Sequence, residues 1–213
     1  MANLIFDYDG TLHESIHIYA PAFRKAQKYL IDKKLIEHCV YKDDQISSWL
    51  GFTAKEMWDN FAPHLTQVEK SICSKIIGDE MLHLISQGKA QLYPNVKETI
   101  RHLKEQGHTL IFLSNCKIDY MNMHKEYFHL GNYFADFYCS EQYDFIPKHA
   151  IFTTIKSRYN GDFVIIGDRF QDMEIAHKHN LKSIGCSYGY GNTDELKTAT
   201  HIVFDIKQLN LFL

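Results

Sequence analysis

No apolar run in this chain approaches the roughly 18 residues that a membrane-spanning helix requires, so no membrane span is expected. The opening Met1-Ala2-Asn3-Leu4-Ile5-Phe6-Asp7 has neither the basic start nor the long apolar stretch of a signal peptide, and the expectation is a soluble, cytoplasmic protein. Cysteine pairing is also missing. The five cysteines, Cys39, Cys73, Cys116, Cys139 and Cys186, are odd in number and scattered, with no C-x-x-C, which argues against structural disulfides and for a reducing compartment. The 13 histidines form no H-x-x-x-H on a plausible helix, and His177 and His179 fall on different faces of one, so they read as solvated or core residues rather than a zinc site. Charge of one sign is lacking as well. A net charge of −3 gives no electrostatic case for binding a nucleic acid polymer or a membrane. There is no internal repeat and no low-complexity linker.

What is present is ordinary globular composition, 45% hydrophobic and 23% charged over 213 residues, enough for one sizeable domain and a smaller one. Leu4-Ile5-Phe6 runs straight into Asp7-Tyr8-Asp9-Gly10-Thr11, as a buried strand ending in a polar turn would. From about Glu14 to Gly88 the pattern is helical throughout: Ala22, Ala26, Tyr29 and Leu30 repeat at helical spacing, as do Met57, Phe61, Ile72, Ile76, Met81, Leu82 and Ile85. After Gly88 helix and strand alternate. Pro94 opens a helix through Gln106, with Gly107 where a C′ residue would sit. Strands are expected at His108–Leu113, Phe137–Cys139, Phe163–Ile166, Lys182–Cys186 and His201–Phe204, with helices ending near Leu130, Tyr159 and Lys178.

Alternating strand and helix implies an α/β fold, a doubly wound parallel sheet with helices on both faces. The helical block interrupts it after the first strand. The expected organisation is therefore a core of residues 1–13 and 89–213 with an inserted all-helical cap, residues 14–88, near the carboxyl edge of the sheet.

Ligands of open α/β sheets bind outside the carboxyl ends of the strands. Three expected strands end there on polar chemistry: Asp7 and Asp9, Ser114 and Asn115, and Gly167, Asp168 and Asp172. Turns use the same residue types, so each alone means little; all three together point to a site. Two carboxylates one residue apart cannot both ionise comfortably without a nearby cation or a shared proton. Such a pair divides labour, one attacking phosphorus and the other protonating the leaving oxygen and later deprotonating water. Gly10 allows a sharp turn whose N–H groups, with Thr11, can hold phosphate oxygens. Asp168, and Asp172 one helical turn later, add hard oxygen ligands, so Asp7, Asp9, Asp168 and Asp172 are the candidate ligands of Mg²⁺. Ser114 and Asn115 can donate to a phosphoryl group, and Lys148 can neutralise the nucleophile, with Lys156 and Lys117 as alternatives.

These residues resemble the haloacid dehalogenase superfamily. Its first motif is matched by Asp7-Tyr8-Asp9-Gly10-Thr11-Leu12 with Glu14-Ser15, its second by Ile111-Phe112-Leu113-Ser114-Asn115, and its fourth by Ile165-Ile166-Gly167-Asp168-Arg169-Phe170-Gln171-Asp172. Tyr188-Gly189-Tyr190-Gly191 resembles the turn that follows in the phosphoglycolate-phosphatase-like branch, and the likeness spans the whole chain. The resemblance implies a Rossmann-like core, Asp7 as nucleophile, Asp9 as acid–base, and Mg²⁺. It implies hydrolysis of a small phosphorylated metabolite (phosphoglycolate, a sugar phosphate or a nucleotide) by a monomer or homodimer. Dehalogenases lack the second acidic residue, so Asp9 favours phosphate transfer. Trp49-Leu50-Gly51-Phe52-Thr53 resembles the cap loop that faces the active site in this branch, making Gly51 and Phe52 candidate substrate contacts; Trp49 and Trp58 are either pocket or cap core. Related mutases carry arginine three residues after that glycine and phosphonatases a lysine, where this chain has Ala54. A hydrolase is the reading, with a sugar phosphomutase and a non-catalytic binding protein on the same fold as rivals.

Overall fold

The apolar runs become one sheet. In the computed structural model, which describes Met1–Leu213, β1 (Asn3–Phe6), β2 (Thr109–Ser114), β3 (Phe134–Cys139), β4 (Phe163–Gly167), β5 (Lys182–Cys186) and β6 (His201–Val203) line up as β3-β2-β1-β4-β5-β6. Every neighbouring pair is parallel. A central parallel strand is covered on both faces and so is apolar at successive positions rather than alternately. Accordingly β1 and β4 are buried at every residue. This order is that of doubly wound sheets, and it reverses direction between β1 and β4. The chain segments leaving those two strands diverge there, which opens a crevice beyond their carboxyl ends.

Two compact units are present: Met1–Glu14 with Leu92–Leu213, and Ser15–Gln91. The second contains α1 (Ile16–Asp32), α2 (Asp43–Ser47), α3 (Ala54–Phe61) and α4 (Gln67–Ser86) and no strand. α1 presents Ile18, Ala22, Ala26 and Leu30 at four-residue spacing, with Phe23 beside them, and packs on α4. On α4 the buried stripe is Cys73, Ile77 and Ile85, one residue round from the expected Ile72 and Ile76; Ile72 is exposed. Capping boxes start α3 and α4. Thr53 accepts from the Glu56 N–H at 3.3 Å while the Glu56 carboxylate accepts from the Thr53 N–H at 2.8 Å, and Thr66 and Glu69 repeat the pattern. Trp58 is core here: its Nε1–H donates to Ser74 Oγ at 2.7 Å and its ring is buried. Trp49 stacks on Phe23 with ring centroids 4.8 Å apart and meets Phe61 at 5.0 Å.

In the core unit the helices are α5 (Val96–Glu105), α6 (Ile118–Tyr127), α7 (Lys148–Arg158), α8 (Phe170–His179) and the short α9 (Thr193–Leu196). Asn95, in the left-handed region at φ 66°, delays α5 by two residues relative to Pro94. One face of the sheet, through Ile5, Ile111 and Ile165, packs against Ile151, Phe152 and Ile155 of α7 and Ile175 of α8. Burial of such side chains stabilises by about 1.5–3 kcal/mol each. That packing fixes the start of α7, and hence Lys148, at the carboxyl end of the sheet.

Candidate active site

Asp7 is the first residue beyond β1, and its N–H continues the ladder to Ile166 O at 2.9 Å. Its side chain is buried, with Oδ1 accepting from Lys148 Nζ at 2.6 Å. The same ammonium donates to Asp172 Oδ1 at 2.8 Å. Asp172 sits in the first turn of α8 and its Oδ2 accepts from the Arg169 N–H at 3.1 Å, which satisfies an N-terminal donor of that helix. Of the three lysines considered, Lys148 is therefore the one at Asp7; Lys117 and Lys156 are exposed.

Asp168, at the end of β4, is held from two sides. Oδ1 accepts from Thr11 Oγ1 at 3.0 Å and Oδ2 from the Tyr190 N–H at 2.7 Å. The chain passes so close that a Cβ on Gly10 (φ +88°) or on Gly189 would overlap the Asp168 side chain. The same loop sets where Gly10 and Thr11 stand. Gly10 N–H donates to His13 O at 2.9 Å and Thr11 N–H to Tyr8 O at 3.2 Å, within the loop itself. The Thr11 hydroxyl orients Asp168.

Asp9 stands apart from the other carboxylates. The acidic groups whose side-chain oxygens lie within 4.8 Å of one another are Asp7, Asp168 and Asp172, three of the four candidate ligands. Asp9 Oδ1 instead accepts from Tyr120 Oη at 2.7 Å and lies 3.0 Å from His13 Nδ1. Neither partner was legible beforehand. Tyr120 lies 111 residues away in sequence, and His13 carries no signal beyond its place after the first motif. His13-Glu14-x-x-His17 has the spacing of a zinc-protease helix. However, α1 begins only at Ile16, His13 is buried and His17 is exposed. Ser114 ends β2 beside β1, whose Phe6 is in register with Phe112, and is buried; Asn115 next to it is half-buried. Gly51 and Phe52 belong to the helical unit, between α2 and α3, and are half-buried.

Electrostatics divide the carboxylates. Burial, reinforced by Asp172, pushes the Asp7 carboxyl well up, against the opposing charge of Lys148. Burial and then Asp172 push Asp168 up to about 7, against the bonds from Tyr190 and Thr11. Burial works against the Lys148 charge, but Asp172 and Asp7 outweigh it and hold the ammonium protonated. Burial would raise Asp9 too, yet the hydrogen bond and charge of His13, then the Tyr120 hydroxyl, bring it below its ordinary value. When all are ionised, three carboxylates against one ammonium leave an excess of two negative charges, and Asp7 Oδ2 is buried with no hydrogen-bond partner. An all-oxygen donor set with a double negative excess and an orphaned oxygen fits a small divalent cation such as Mg²⁺.

Comparison with known proteins agrees with this geometry. A family model described as haloacid dehalogenase-like hydrolase matches residues 4–186. The chain belongs to that family. It is similar to the phosphoglycolate phosphatase of Mannheimia succiniciproducens, 29% identical over 200 residues that cover 87% of this chain and 85% of that protein. It is also similar to that of Psychrobacter arcticus, 23% identical over 206 residues covering 91% and 86%. A crystal structure from Haemophilus somnus, described as a predicted phosphoglycolate phosphatase, superposes with a TM-score of 0.83 at 21% identity, covering 100% of this chain and 97% of that one. A haloacid dehalogenase-like hydrolase from Streptococcus pneumoniae gives 0.80 at 19%, covering 100% and 98%. No helix of the chain is long and apolar enough to cross a membrane.

Proposed function

We propose that the protein is a Mg²⁺-dependent phosphatase of a small phosphorylated metabolite, working through an aspartyl-phosphate on Asp7. The observation that carries this is Asp7 itself. One of its oxygens is fixed by Lys148 and the other is a buried oxygen without a partner, and a second carboxylate, Asp9, lies two residues on with different partners. Lys148 neutralises charge at the nucleophile, and Ser114 and Asn115 donate to the phosphoryl oxygens. Asp7 attacks phosphorus. Asp9 gives a proton to the departing ester oxygen, then takes one from the water that releases phosphate. In the free site Asp9 is held ionised; the anionic phosphate ester beside it favours the protonated form, the direction its acid role needs. Asp7, Asp168 and Asp172 would hold Mg²⁺, whose charge would offset the repulsion between ester and nucleophile and favour ionised Asp7.

The helical unit, through Gly51 and Phe52, is assigned the choice of substrate. The named relatives make phosphoglycolate the first substrate to try. Phosphate release from a metabolite panel, with Mg²⁺ and with chelator, tests the reading. Activity on at least one ester should vanish with chelator and return with Mg²⁺, and Ca²⁺ should support it poorly, because it accepts more ligands and looser geometry. Full activity after exhaustive metal removal, or zinc bound at about one per chain, contradicts it.

A further inference from the structure

Beneath Asp9 the core unit holds a polar cluster that this reaction scheme leaves unused. Tyr120 of α6 gives its hydroxyl proton to Asp9 Oδ1 at 2.7 Å. His13 Nδ1 lies 3.0 Å from the same oxygen and 3.2 Å from Tyr120 Oη. With the single Tyr120 proton committed to Asp9, an Nδ1–H on His13 serves both acceptors. A second layer backs the first: Tyr8 Oη and His124 Nδ1 are 2.6 Å apart, the His13 and His124 ring centroids 4.4 Å, and Tyr8 stacks on His13 at 5.1 Å. All four side chains are buried. Polar groups so deep are costly unless bonded, and apolar side chains of similar size would fill the space without that demand. What the polar atoms add is a defined place for the Asp9 carboxylate. Both of its bonds fall on Oδ1, and with 16% of its side chain exposed Asp9 reaches solvent more than Asp7, Asp168 or Asp172.

We propose that His13 and Tyr120 are positioning residues for Asp9, fixing Oδ1 so that Oδ2 is the oxygen that exchanges protons. Resting on the phosphatase reading above, the step runs as follows. Oδ2 delivers its proton to the ester oxygen as that oxygen's bond to phosphorus breaks and the Asp7–phosphorus bond forms. Oδ2 then accepts a proton from the water whose oxygen attacks phosphorus, and the Asp7 carboxylate leaves. A mispositioned acid matters most when the leaving oxygen is strongly basic. The test compares kcat/KM, which reports steps through the departure of the leaving group, on p-nitrophenyl phosphate and on the alkyl phosphate that the wild type hydrolyses best. Tyr120→Phe keeps the ring and removes only the hydroxyl. It should lose about tenfold or more on the alkyl ester and less than about threefold on the aryl ester. His13→Asn, which retains a donor near the Nδ1 position, should keep the wild-type ratio between the two esters better than His13→Leu. If the histidine variants do not fold, Tyr120→Phe decides alone. Equal losses on both esters, or none, overturn the positioning role and leave the phosphatase reading standing. A folded wild type that hydrolyses neither ester overturns both.

Discussion

Replacing Lys148 by methionine is a demanding perturbation of the site because the ammonium joins two buried carboxylates, at 2.6 Å from Asp7 and 2.8 Å from Asp172. Methionine keeps most of the apolar stem but leaves Asp7, Asp168 and Asp172, within 4.8 Å of one another, without their cation. Breaking a buried pair by removing one partner costs about 3–5 kcal/mol. For a chain of this length that corresponds to a fall in Tm of about 6–20 °C. The fall should be larger at pH 8 than at pH 5, because protonation of the carboxylates relieves the repulsion at the lower pH. Thermal unfolding of metal-free protein followed by circular dichroism reads this directly. Lys156→Met, at an exposed position, provides the control and should stay within about 0.5 kcal/mol of wild type. Phosphatase turnover in Lys148→Met should drop by about 10²–10³, the loss typical of removing one preorganised donor from the reacting charge. A Lys148→Met protein as stable as the Lys156→Met control, or with turnover intact, would mean that the ammonium is not what holds these carboxylates or serves the reaction.

Without metal, the wild type should lose stability as pH rises. A carboxyl raised from 3.8 to about 7, as Asp168 is, keeps in the folded protein a proton that the unfolded chain has already released. Stability therefore falls through the window between those values and levels off above it, by on the order of 4 kcal/mol. Mg²⁺ should cancel most of that fall, and a metal-free Tm that rises from pH 5 to pH 8 would contradict the assignment. In the helical unit, Phe52→Ala should reorder preference among natural phosphate esters while changing the rate on p-nitrophenyl phosphate little. A uniform loss across all substrates would make Phe52 a packing residue.

The sequence made the sheet and its reactive ends legible because central parallel strands are short uninterrupted apolar runs, Leu4-Ile5-Phe6 leading into Asp7 and Phe163-Val164-Ile165-Ile166 into Gly167-Asp168. The edge strand β3 was harder. Only Phe137-Tyr138-Cys139 reads as apolar, while the strand begins at Phe134 and passes through exposed Ala135 and half-buried Asp136, as an edge strand can. Helix register in α4 was off by one residue because Ile72, Cys73, Ile76 and Ile77 offer two adjacent stripes, and only packing against α1 selects between them. The inner bonds of the loop after β1 were not legible. Gly10 and Thr11 have the right types for holding phosphate, but whether a backbone N–H is available depends on hydrogen bonds within the loop, and these close on Tyr8 and His13. The support of Asp9 by Tyr120 is long-range, and no local pattern encodes a contact between the loop after β1 and α6.

Rapid acid quench of the enzyme with ³²P-labelled substrate shows whether Asp7 carries the phosphoryl group and Asp9 moves the protons. Asp9→Asn should accumulate label on Asp7, because an ester whose leaving group needs little protonation still phosphorylates the nucleophile while attack by water lacks its base. Asp7→Asn, nearly isosteric but neutral, should retain no label and no turnover. Mapping the label in Asp9→Asn to Asp7 is the predicted result; label on Ser114, or steady turnover by Asp7→Asn, contradicts the account.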